Sequence, residues 1–119
     1  TLNHLYWADA LILQRLMGNP RPERTITHSL TDPSDWHAFK QLRAQRDAEI
    51  ETWSAQLTDT DLSGAVVWHP GDGSSRIERP MALCVAELFH HQTHHRGQVH
   101  AMLTAAGAIP EPTNLSMMP

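Results

Sequence analysis

Phe89-His90-His91-Gln92-Thr93-His94-His95-Arg96-Gly97-Gln98-Val99-His100 sits inside a run, 80–106, that reads as one long helix. Pro80 stands at a favourable first-turn position, and Gly107 supplies the C-cap. Stepping round the helix at about 100° per residue places Met81, Val85, Leu88, Val99, Met102 and Leu103 on one side. His91 and His95 fall at the edge of that apolar stripe, in register with Cys84, Leu88 and Met102. His90 and His94 fall on the solvent side. The run therefore holds two interleaved His-x-x-x-His pairs, of which His91/His95 faces inward.

Residues four apart stack on one helix face, and two stacked imidazoles can grip a single transition-metal ion. The competing reading is that both rings hydrogen-bond to core carbonyls or carboxylates, since a buried histidine needs polar partners. Cys84 lies seven residues from His91, about 10 Å along the axis. That is too far to share an ion, so it reads as a core thiol.

Upstream of this helix, Ala65-Val66-Val67-Trp68 and Arg76-Ile77-Glu78 flank His69-Pro70-Gly71-Asp72-Gly73-Ser74-Ser75. Gly and Asp in the centre predict a turn, and the whole a small β-hairpin. Before it, Pro33-Ser34-Asp35 opens a helix capped by Ser34 or Asp35. Trp36, Phe39, Leu42, Ile50, Trp53 and Leu57 mark its buried side. Lys40, Arg43, Arg46, Asp47, Glu49 and Glu51 read mostly as its solvated face. Thr58-Asp59-Thr60-Asp61 closes it. Arg21–Asp32 is a polar loop with no period.

The first helix spans Leu2–Met17 and ends at Gly18-Asn19-Pro20. Leu2, Leu5, Asp9, Ile12 and Leu16 follow its three/four spacing, widened by Leu11 and Leu13. His4 is the one histidine on this helix and borders its apolar side. The pattern is already mid-helix at Thr1, so a further helix is expected to precede it. Three amphipathic helices plus that one make an all-α four-helix bundle, a single domain over 1–119. Metal sites in such bundles lie in the core on facing helices.

Composition narrows the partners. A net charge of −4 without a basic stripe argues against nucleic acid or an anionic membrane. The longest apolar run, Met81–Ala86, is too short to span a bilayer. A single cysteine precludes an internal disulfide and fits a reducing cytoplasm.

His91-Gln92-Thr93-His94-His95-Arg96-Gly97-Gln98-Val99, followed by Met102-Leu103 and Gly107, resembles the closing helix of the DinB/YfiT-like family. Thr1-Leu2-Asn3-His4-Leu5-Tyr6-Trp7-Ala8-Asp9 resembles that family's second helix. The likeness covers nearly the whole chain, and His95-Arg96-Gly97-Gln98 is its most specific part. The resemblance implies a four-helix bundle, often a homodimer. It implies a divalent metal, commonly zinc or nickel, held by three histidines matching His4, His91 and His95. His90 and His94 depart from the family pattern and take no ligand role. Asn114 stands where Asp is frequent.

Three neutral imidazoles leave an ion with open positions. The family includes transferases and isomerases that use low-molecular-weight thiols, which makes thiol activation for transfer to a small electrophile the leading expectation. A metal-dependent hydrolase is the alternative, and Glu87, one turn from His91, is then a candidate partner for an imidazole or a solvated residue. A non-catalytic metal-binding or dimerisation module is the third. Arg96 offers either an orienting charge for an anionic substrate or a structural ion pair. Gly97 predicts close approach of another helix.

Overall fold

The computed structural model describes residues 1–70, 75–114 and 116. Helix α1 spans Leu2–Met17, α2 Trp36–Ser54, α3 Asp59–Leu62 and α4 Met81–Ala105. A 3-10 turn, His28–Leu30, interrupts the loop after α1. Strands β1 (Ala65–Trp68) and β2 (Ile77–Pro80) pair antiparallel, Ala65 opposite Pro80 and Trp68 opposite Ile77. The expected turn at Gly71-Asp72-Gly73-Ser74 lies outside the described residues. The chain is thus mostly helical with a small two-stranded sheet before the last helix.

Each boundary has a local cause. Helix α1 ends where Gly18 takes φ 74°, its N–H bonding to the Gln14 carbonyl at 3.1 Å. Asp35 caps α2, its carboxylate accepting from Ala38 N–H at 2.7 Å. Helix α2 stops at Ser54, short of the Leu57 expected from its apolar pattern. Thr58-Asp59-Thr60-Asp61 opens the one-turn α3 instead of merely closing α2. The Thr58 hydroxyl accepts from Asp61 N–H and the Asp61 carboxylate from Thr58 N–H, a reciprocal pair that fixes a new helix start. At the end of α4, Gly107 at φ 84° and Ala108 return their N–H groups to Thr104 and Leu103. This satisfies two carbonyls that would otherwise be orphaned.

Helix α1 packs chiefly on α4, and the hairpin closes one flank of that contact. Ile12, Leu13 and Leu16 of α1 meet Ile50 of α2, Val66 of β1, and Cys84 and Leu88 of α4. Leu13 and Leu88 are fully enclosed. Each contributes about 1.5–3 kcal/mol through removal of its side chain from water.

Some residues expected inside are outside. Trp36 is 60% exposed, Met102 52% and Leu103 44%. The apolar stripe of α4 is used in its N-terminal half, where α1 covers it, and left open toward its C-terminus. Arg43 leaves the solvated face assigned to it and reaches α1. No helix among the described residues is long and apolar enough to cross a membrane.

Candidate metal centre

His4 lies in the first turn of α1, and His91 and His95 lie one turn apart on α4. The packing of α1 on α4 brings these three together. Each offers a ring nitrogen, and all of these atoms lie within 4.8 Å of one another. His91 and His95 have ring centroids 4.5 Å apart; those of His4 are 5.6 Å from His91 and 5.0 Å from His95. The rings meet at 60–74° and do not stack. His91 Nε2 and His95 Nε2 are 3.2 Å apart. Two ligands on a tetrahedral zinc ion with bonds of about 2.0 Å stand about 3.3 Å apart. The donor set and its spacing therefore fit a divalent ion.

Burial favours the neutral form of two of these rings, His4 and His91. Partial burial lowers the His4 pKa, helped by His95 and then His91. Burial lowers that of His91 too, and His95 adds to it. A neutral imidazole offers a lone pair; a protonated one does not. His95 Nδ1 lies 2.8 Å from Gln98 Oε1, an atom that only accepts, so Nδ1 carries a proton, and in the neutral tautomer this leaves Nε2 bare. The same amide donates from Nε2 to His94 Nε2 at 3.1 Å. Gln98, to which sequence gave no role, thus sets the tautomer of His95.

Beneath the histidines lies a carboxylate that the sequence reading placed only as one of the stripe positions of α1. Asp9 is fully buried. Its Oδ2 accepts from Arg43 of α2 and from Gln92 Nε2 of α4 at 3.2 Å. Arg43 also bonds Asp47 at 2.6 Å. Burial pushes the Asp9 carboxyl up, and the Arg43 guanidinium pulls it back. Gln92, also buried, was likewise missed. The signal available for Asp9 was an acidic residue at an inward position, which requires a partner. Among the described residues, three buried side-chain atoms have none: Asp9 Oδ1, His91 Nδ1 and Arg15 Nε.

The other candidates fall outside the group. His90 and His94 are exposed, as the helical facing predicts. Cys84 is a core thiol beside Leu88, its pKa raised by burial. Glu87 is exposed. Arg96 donates to Gln92 Oε1 and Thr93 Oγ1, both at 3.2 Å. It forms no ion pair among the described residues. No atom stands within 4 Å of where a Gly97 side chain would begin, so the close helix approach expected there is absent among the described residues. Asn114 is exposed.

A groove of about 430 Å³ lies between the start of α1 and the C-terminal half of α4, lined by Asn3 and Val99 but by none of the three histidines. Leu2, Leu30, Trp36, Met102 and Leu103 make it apolar.

A family model described as the DinB family matches residues 1–119. No curated protein and no solved structure matches the chain.

Proposed function

The chain belongs to the DinB family, and from that membership and its converging imidazoles we propose a metal-dependent enzyme that activates a low-molecular-weight thiol. His4, His91 and His95 hold a divalent ion, zinc or nickel, in a four-helix bundle of the DinB type. The observation that carries this reading is the grouping of three half-buried histidines, with no cysteine, carboxylate or fourth histidine joining them among the described residues. Structural zinc sites are closed by four protein ligands, whereas catalytic ones keep a position for substrate.

When bound, such an ion supplies Lewis acidity that lowers the pKa of a coordinated thiol or water. The chain's residues do the remainder. Burial favours the neutral form of His4 and His91, which presents a lone pair. Gln98 fixes His95 with its Nε2 inward. The apolar groove beside Asn3 and Val99 receives the organic part of a small electrophile. Hydrolysis is the weaker reading, because Glu87 is exposed and Asp9 is enclosed and already bonded to Arg43.

The test is elemental analysis of protein purified without a metal-affinity tag, beside a His91→Ala/His95→Ala variant. About one zinc or nickel ion per chain is expected, lost in the variant. No ion bound, and none taken up from added zinc or nickel, overturns the reading. Metal-loaded protein that turns over no thiol with any electrophile offered overturns the thiol part and leaves the ion in place.

A further inference from the structure

The buried carboxylate beneath the histidines has no part in the chemistry above. We propose that Asp9 is a positioning residue for the metal site: neither its Oδ1 nor His91 Nδ1 has a hydrogen-bond partner among the described residues, and in the metal-loaded protein Oδ1 takes up the Nδ1–H of His91 and holds that ring with Nε2 toward the ion. This rests on the metal reading.

Two buried orphans complement each other. Asp9 Oδ1 is an acceptor without a donor, and His91 Nδ1 is enclosed without a partner. Both carry a cost while unpaired. The third buried orphan, Arg15 Nε, is a donor whose guanidinium lies over the Trp68 ring, 4.7 Å from its centroid. It cannot accept a proton from an imidazole.

Tautomers then fix the direction of the bond. His95 Nδ1–H is committed to Gln98, which leaves its Nε2 bare and 3.2 Å from His91 Nε2. For both Nε2 atoms to face one cation, neutral His91 must carry its proton on Nδ1. A ligand imidazole in that form characteristically donates its other N–H to a carboxylate, carbonyl or water, which orients the ring and raises its basicity.

The carboxylate is already anchored at that place. Its Oδ2 bonds Gln92, the residue next to His91, and Arg43 of α2. The charge of Asp9 is also felt at His91, where it opposes the lowering caused by burial. With Oδ2 committed to Arg43 and Gln92, Oδ1 remains for the ligand. A formal negative charge placed there offsets part of the double charge of an ion held by three neutral rings.

The test combines zinc titration against a competing chelator with long-range ¹H–¹⁵N spectra of the imidazoles, on wild type and Asp9→Asn. Zinc-loaded wild type is expected to show His91 bound through Nε2, with a slowly exchanging, downfield Nδ1 proton. Asp9→Asn should move that proton upfield, leave the His95 Nδ1 proton in place, and weaken zinc binding about 10–100-fold. Zinc-loaded wild type with His91 bound through Nδ1 overturns this inference alone. So does an Asp9→Asn variant with unchanged zinc affinity and an unmoved His91 proton. If Asp9→Asn does not fold, the wild-type spectrum decides by itself. Wild type that takes up no zinc or nickel overturns the metal reading and this inference with it.

Discussion

At the scale of single residues, His4 and His91 tie stability to pH. Their folded pKa values lie below the ordinary 6.5 because burial disfavours the imidazolium. Below 6.5 the unfolded chain binds protons that these rings resist. Their contribution is complete above 6.5 and is lost as pH falls through the folded values. Asp9 acts in the opposite sense. Raised by burial, it takes its proton more readily when folded, and its contribution returns as pH falls toward 3.8. Urea unfolding of chelator-treated protein is therefore expected to show a midpoint that declines as pH drops just below 6.5. His4→Gln should make that decline shallower. A flat or rising midpoint across that window would contradict the assignment. The pair His91/His95 was legible because helical facing is a one-dimensional property, read from spacing alone. Asp9 was not, because its role is defined by Arg43, 34 positions away on another helix.

At the scale of elements, α4 carries a glycine that nothing among the described residues requires. Gly97 has helical neighbours on both sides and open space where a side chain would start. Gly97→Ala is expected to stabilise the chain by about 1 kcal/mol, the difference in helix propensity, with zinc uptake unchanged. Thermal or urea unfolding checks the first and chelator competition the second. Destabilisation would mean that another surface approaches this position after all. The bounds of α1 were readable from apolar spacing and the Gly18 stop. The end of α2 was not, since the apolar side of Trp53 and Leu57 continues past Ser54 while the reciprocal Thr58/Asp61 cap restarts the helix. Local hydrogen-bonding chemistry outweighed the apolar period there.

At the scale of the whole molecule, the proposed ion lies between the two helices that share the main contact, α1 and α4. Such an ion would act as a ligand of the folded state. Free zinc at one hundred times its dissociation constant should raise stability by about 2.7 kcal/mol, and a chelator should reverse it. A thermal scan with and without zinc reads this directly, and the His91→Ala/His95→Ala variant should show no such shift. An equal shift in the variant would place the stabilising ion elsewhere. Exposure of Trp36, Met102 and Leu103 was not legible in sequence, because periodicity gives the side of a helix and not whether another element covers it.

His91 and His95 stand one turn apart on α4 and His4 stands in the first turn of α1, so an ion held by all three would close the chain between positions 4 and 91 into one ring. The entropy of such a closure grows only with the logarithm of the enclosed length, about 0.6 kcal/mol for each doubling. Residues inserted between α1 and α2, or between β1 and β2, would thus barely change the thermodynamic weight of the clasp. The connecting segments can vary in length and leave the clasp between α1 and α4 untouched.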